Sequence, residues 1–376
     1  MYGYFDHNAT TPLEPRVLEA MRPWLEGRPA NPSSAHRHGR AARRAVEEAR
    51  HQVAELIGGR DEEIVFTASG TEANNAVILG TGLRHDYRGH LVISILEHPS
   101  VRAAARFLAD RGMRVSEIEP GADGVVDPAA VAAALDDDTR LVCLMLANNE
   151  VGTLQPVAEV AARCRAAGVP VLCDAVQAAG KVPVAAGELG VDYLTLAGHK
   201  FYGPVGIAAL WLRPGAPFEP LLLGGGQESG RRSSTESVPL IVGLGATARL
   251  ARDELDDRRR KLLALQRRLE DGLARIDGAT VHCADSPRLP HTTHVAFRGH
   301  QGHRLMLALD ELGFAVSTGA ACSVGRPQPS PTLLAMGLDP NEALASIRIS
   351  LGPTNTAAEV DDLLAALRQV TTAVPA

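Results

Sequence analysis

The sequence predicts an α/β protein on a largely parallel sheet, joined to a smaller α+β unit. Three observations carry this expectation. Short, almost wholly apolar β-type runs alternate with helical stretches from about residue 35 to residue 213. A glycine-rich segment, LLLGGGQESGRRSSTES (221–237), then breaks the rhythm. With 376 residues, the chain has room for about two domains of roughly 150 residues each.

The elements follow in order. From Ala35 to Ile57, the residues Ala42, Val46, Ala49, Val53 and Leu56 recur at helical spacing, and Gly58-Gly59 ends the helix. The β-type runs are IVFT (64–67), LVISI (91–95), LVCLMLA (141–147), VPVLCD (169–174), DYLTLA (192–197) and GIAALWL (206–212). The last two are close together, which suits an antiparallel pair. Beyond the glycine-rich segment, a helical pattern over roughly 239–275 connects the two units. The remainder gives strands near 280–284, 293–298 and 346–351, with helices near 302–312 and 357–371.

Composition narrows the function classes. A net charge of −6 and only 4 % aromatic residues argue against a nucleic-acid-coating role. No apolar run has the length of a membrane span, and MYGYFDHNATTP lacks the features of a signal peptide, so a cytoplasmic setting is expected. The five cysteines, Cys143, Cys164, Cys173, Cys283 and Cys322, include no CxxC pair, so no structural metal is expected. Of 38 basic residues only Lys181, Lys200 and Lys261 are lysine. Arginine cannot replace a lysine that must lose its proton and attack a carbonyl, so each lysine is informative.

Three segments point to chemistry. Ser69–Asn75 (SGTEANN) follows the run IVFT, and a strand, small-residue turn and helix start make a phosphate site or a plain N-cap. Asp174 ends the run VPVLCD, where a charged side chain of an open α/β sheet faces the ligand crevice or caps the next helix. With Gln177 three residues on, it could hold a heteroaromatic ring. Lys200 follows the run DYLTLA, where desolvation favours the neutral amine that forms a Schiff base. Taken together, they describe a pyridoxal-phosphate (PLP) enzyme.

The chain also resembles the cysteine desulfurases, the NifS/IscS-like branch of the class-V aminotransferase superfamily. The matching segments span nearly the whole length: YFDHNATTP (4–12), NPSSAHRHG (31–39), FTASGTEANN (66–75), EHPSV (97–101), NNEVGTLQP (148–156), CDAVQAAGKVPV (173–184), LAGHKFYGPVGIAAL (196–210), GRRSSTES (230–237), STGAACS (317–323) and SIRISLG (346–352). The resemblance implies the PLP-dependent transferase fold of the aspartate aminotransferase type. Its large domain is expected over 13–245, and its small domain over 1–12 plus 246–376.

The resemblance also implies residue roles. Lys200 holds PLP as a Schiff base, Asp174 pairs with the ring nitrogen and Gln177 with the ring oxygen. His98 stacks on the ring face and moves protons. Gly70, Thr71 and His199 bind phosphate, joined by Thr235 from the second subunit of a homodimer. Asn149 sits beside the ring oxygen and substrate, and Arg348 clamps the carboxylate of L-cysteine. Cys322, flanked by Gly319, Gly325 and three prolines, is the nucleophile that takes sulfur as a persulfide, releases alanine and passes sulfur to an acceptor protein of iron–sulfur assembly or thiolation. The other four cysteines read as core thiols. The chain departs from the family pattern at Ala197 (commonly Ser), at Ser234 (commonly Gly) and in SVGRPQPS after Cys322. Two alternatives stay open at this point: another PLP reaction, such as a selenocysteine lyase or aminotransferase, and a catalytically idle scaffold.

Overall fold

A computed structural model describes residues 3–27, 31–318 and 328–373. In chain order it begins with β1 (Gly3–Tyr4), α1 (Pro15–Leu25), α2 (Arg37–Leu56), β2 (Ile64–Thr67), α3 (Gly70–Arg84), β3 (His90–Ser94) and α4 (Pro99–Ala109). Next come β4 (Arg114–Ile118), α5 (Pro128–Ala133), β5 (Thr139–Cys143), α6 (Val157–Ala166), β6 (Val171–Asp174), α7 (Ala186–Leu189), β7 (Tyr193–Ala197) and β8 (Ala208–Leu212). The chain then forms α8 (Val238–Asp253), α9 (Leu255–Leu273), β9 (Ala279–Val281), β10 (Thr292–Phe297), α10 (Gly302–Glu311) and β11 (Phe314–Ala315). It closes with α11 (Pro331–Ala335), α12 (Pro340–Leu344), β12 (Ser346–Ser350) and α13 (Ala357–Ala373).

The central sheet has seven strands in the order β2-β8-β7-β6-β5-β3-β4. Every pairing is parallel except those of β8, which runs antiparallel to both β7 and β2. The parallel α/β expectation and the antiparallel last pair are therefore both present. Buried residues cover both faces of this sheet, which is why its strands are apolar throughout rather than alternating. A second core gathers Phe5, α9, β10, α10, β12 and α13 around an antiparallel sheet, β12-β10-β9.

Some elements differ from the sequence reading. The run 141–147 is a strand only to Cys143, although Leu144 N and Leu146 N still donate to Leu172 O and Asp174 O of β6 at 3.0 Å and 2.9 Å. The helical pattern over 239–275 is two helices that part at Glu254. Strand β4 was not expected from the sequence. It is an edge strand with no fully buried residue, so it lacks the apolar run that marks its neighbours.

Helix α8 crosses α2 where both carry small residues. A Cβ on Gly245 would stand 2.5 Å from Ala49 Cα and 2.6 Å from Ala49 Cβ, so the helix backbones are in direct contact there. Gly245→Ala is expected to force the helices apart and cost about 1–3 kcal/mol, read as a lower urea midpoint. An unchanged midpoint would contradict this crossing.

Candidate active site

The crevice opens where the parallel strands end, the usual ligand position in open α/β sheets. Asp174 is the last residue of β6, and β7 ends at Ala197 beside it, followed by the single 3-10 turn Gly198–Lys200. Strand β2 leads through Ala68 and Ser69 into α3, whose N-cap is Ser69. The Ser69 hydroxyl accepts from Glu72 N at 3.1 Å, and Glu72 in turn accepts from Ala68 N at 2.9 Å. Gly70 and Thr71 therefore stand at a capped helix start, where backbone N–H groups and the helix dipole favour an anion.

The lysine amine sits against polar backbone. Lys200 Nζ donates to Asn8 O and Ala9 O, both at 2.7 Å. Burial first, and Arg348 second, lower its pKa to about 8, against the opposing pull of Asp174 and Asp6. His199, beside it, bonds Thr10 Oγ1 at 3.1 Å and is lowered to about 4 by burial and by the two nearby lysines.

Asp174 is buried and held from two sides, by Asn74 Nδ2 at 2.7 Å and Val176 N at 3.0 Å. Asn74 also donates to Ser100 Oγ at 3.1 Å, and Ser100 meets His98 Nδ1 at 2.8 Å. His98 is the N-cap of α4, with Nδ1 accepting from Ser100 N at 3.1 Å. That contact assigns the proton of the neutral ring to Nε2. Burial lowers the pKa of His98, so the neutral ring is favoured.

Gln177 is buried behind the lysine. Its Nε2 donates to Asn8 O at 2.9 Å, and its Oε1 accepts from Lys181 Nζ at 3.2 Å. Arg348, on β12, donates to Asp6 Oδ1 at 2.7 Å and to Asn149 O at 2.8 Å. Thr235 is exposed and shares a cavity of about 120 Å³ with Thr67, Ala68, Gly206 and Ser234. Cys322 lies outside the described residues.

The remaining cysteines make poor nucleophiles. Burial holds the Cys143 and Cys173 thiols well above their ordinary pKa, and raises Cys164 and Cys283 to about 11. Cys283 departs from the expected core thiol: it is only half-buried, in a turn past β9 with φ of +54°.

Sequence reasoning missed several residues that build this site. Asn8, Asp6 and Asn74 lay inside the quoted motifs without an assigned role. Lys181 likewise lay inside a quoted motif without an assigned role, yet it is buried against Gln177, and burial drives its pKa well below normal. Glu97, next to His98, is buried with Oε1 accepting from Met145 N at 2.6 Å. Burial and the nearby Asp174 raise its pKa to about 8, so it is mostly protonated at neutral pH.

The residues fit a phosphorylated pyridine cofactor. Gly70 leaves space beside Val176, because a Cβ there would come within 3.1 Å of Val176 Cγ2. The Thr195 hydroxyl, one strand over from Asp174, is buried without a partner. A buried carboxylate, an amide, a poised amine and a helix start converge on one crevice.

The amine state can be checked directly. Acetic anhydride labelling of Lys200 in the cofactor-free protein is expected to rise with pH to a midpoint at about 8. A midpoint at 10 or above would contradict the desolvated setting.

Comparisons with known proteins agree with this geometry. The aminotransferase class-V family model matches residues 3–363. The IscS-like cysteine desulfurase of Mycobacterium tuberculosis is 42 % identical over 374 residues, covering 97 % of this chain and 95 % of the relative. A solved NifS-like protein superposes with a TM-score of 0.94 at 35 % identity, over 100 % of both chains. A structure of SspA in complex with cysteine gives a TM-score of 0.84 at 32 % identity, covering 94 % of this chain and 100 % of that one. Matched along nearly its whole length, the chain belongs to the class-V aminotransferase family, in its cysteine desulfurase branch.

Proposed function

We propose that the crevice around Lys200 is where this cysteine desulfurase converts L-cysteine to L-alanine with PLP bound, passing the sulfur to Cys322. The observation that carries this reading is the lysine itself: a desolvated amine held by Asn8 and Ala9 at the strand ends, across from Asp174. In this reading Lys200 anchors PLP, Asp174 and Gln177 hold its ring, and Gly70, Thr71 and His199 hold its phosphate. When bound, the cofactor supplies an electron sink for the substrate α-carbon.

The protein's own groups do the rest. Arg348 binds the substrate carboxylate, with Asn149 beside it. The neutral Lys200 amine takes the α-proton, a role that suits a pKa near the working pH. His98 presents its Nε2–H to the site, with Nδ1 fixed by Ser100. The Cys322 thiolate attacks the substrate sulfur, the carbon–sulfur bond breaks, and protonation of the carbon gives alanine. Sulfur then leaves the persulfide for an acceptor protein of the iron–sulfur assembly or thiolation class.

The working unit in this reading is a homodimer in the cytoplasm. Val205 and Leu223 are 71 % and 82 % exposed; Val205 precedes Gly206, which lines a cavity with Thr235, and Leu223 lies in the 221–237 segment that carries Thr235. Three arginine–carboxylate pairs, Arg50–Glu228, Arg232–Glu72 and Arg43–Glu236, fasten that segment so it can present Thr235 to a neighbour. No helix among the described residues is long and apolar enough to cross a membrane.

Cys322→Ser is expected to retain PLP and to bind cysteine. Alanine formation should fall by at least about 100-fold, with no persulfide, because a serine hydroxyl is a far weaker nucleophile than a thiolate. Persulfide on another cysteine, or alanine at the wild-type rate, would overturn the Cys322 assignment. Light scattering at micromolar concentration should give twice the 39.7 kDa chain mass, and Thr235→Ala should loosen PLP. A fully active monomer would contradict the shared phosphate pocket.

A further inference from the structure

Arg348 is a buried cation, its side chain only 4 % exposed. A guanidinium in such a place needs a counter-charge, and its planar fork of five N–H donors must be pointed correctly to be of use. Its direct ion-pair partner is Asp6, through Nη2 to Oδ1 at 2.7 Å. Nη1 goes to Asn149 O at 2.8 Å, while the buried Nε–H has no partner among the described residues.

Asp6 is itself fixed. Its backbone bridges Ser350 at the end of β12, and Tyr4 donates its hydroxyl to Asp6 O at 3.0 Å. On the other side of Arg348, its backbone exchanges hydrogen bonds with Ser317, at 2.6 Å and 3.1 Å. The guanidinium is thus pinned at two of its three nitrogens, and the third is buried with no partner among the described residues.

We propose that Asp6 is a positioning residue for substrate binding: by holding Nη2 of Arg348 it fixes the plane of the guanidinium that receives the incoming carboxylate. A guanidinium held in one plane keeps its remaining N–H donors set for the planar, bidentate arrangement a carboxylate prefers. Asp6 touches neither the reacting atoms nor the substrate, and acts through Arg348. The proposal rests on the reading of Arg348 as the carboxylate contact.

The test is a double-mutant cycle on the PLP-loaded enzyme, with KM for L-cysteine and kcat measured separately. Asp6→Ala is expected to raise KM by about 10-fold while kcat changes by less than about 3-fold. Asp6→Asn, which keeps the shape and one acceptor oxygen, should give a smaller rise, and Asp6→Glu should recover part of the loss. In an Arg348→Ala background, Asp6→Ala should add nothing further. If Arg348→Ala raises KM but neither Asp6→Ala nor Asp6→Asn does, the Asp6 proposal is overturned and the reading of Arg348 stands. The same 10-fold rise with and without Arg348 would also overturn it, since Asp6 would then act elsewhere. An unchanged KM in Arg348→Ala itself overturns both.

Discussion

The main-chain carbonyl of Asn8 is the contact on which the rest of the site depends. It accepts from Lys200 Nζ at 2.7 Å and from Gln177 Nε2 at 2.9 Å. The Asn8 side chain meanwhile bonds His291 at 2.8 Å and Thr292 at 3.0 Å, and Nδ2 donates to Asn149 O at 3.2 Å. One residue of the N-terminal segment therefore joins the strand ends of the central sheet to β10 of the smaller sheet. Both His291 and Thr292 are buried, so these contacts are shielded from water and fix the segment firmly.

Burial is the second constraint, and it sets the charge states. Lys200 and Lys181 share one crevice wall with Arg348, and crowding of cations in a desolvated place favours neutral amines. Asp174 and Asp6 supply the nearby negative charge, while Glu97 lies deeper and tends to keep its proton. The site thus sets two carboxylates, Asp174 and Asp6, beside the crevice amine and the Arg348 guanidinium. It also lowers the Lys200 amine to a pKa of about 8, within reach of the pH range in which it can give up its proton.

The sheet was legible in the sequence because its strands are apolar on both faces, and Asp174 and Lys200 stood out as polar residues at the ends of such runs. The edge strand β4 was not, because its half-exposed residues carry no continuous apolar run. The break at Glu254 was hidden for a different reason: the sequence around it holds no glycine or proline to mark a stop. Asp6 and Asn8 had visible motifs but no visible roles. Their partners lie far along the chain, 342 residues away for Asp6 and Arg348, and only the fold brings them together. Nothing in the Ala-Gly-Lys-Val surroundings of Lys181 marks its burial, which the fold alone reveals, with its amine donating to Gln177 at 3.2 Å.

The most direct measurement of the central claim, that the amine held by Asn8 is the cofactor lysine, uses the scarcity of lysine in this chain. Borohydride reduction of the PLP-loaded protein, followed by peptide mapping, has only Lys181, Lys200 and Lys261 to distinguish. The expected result is a stable pyridoxyl label on Lys200, in the peptide around LAGHKFYG. A label on Lys181 or Lys261, or a protein that takes up no PLP, would contradict the account.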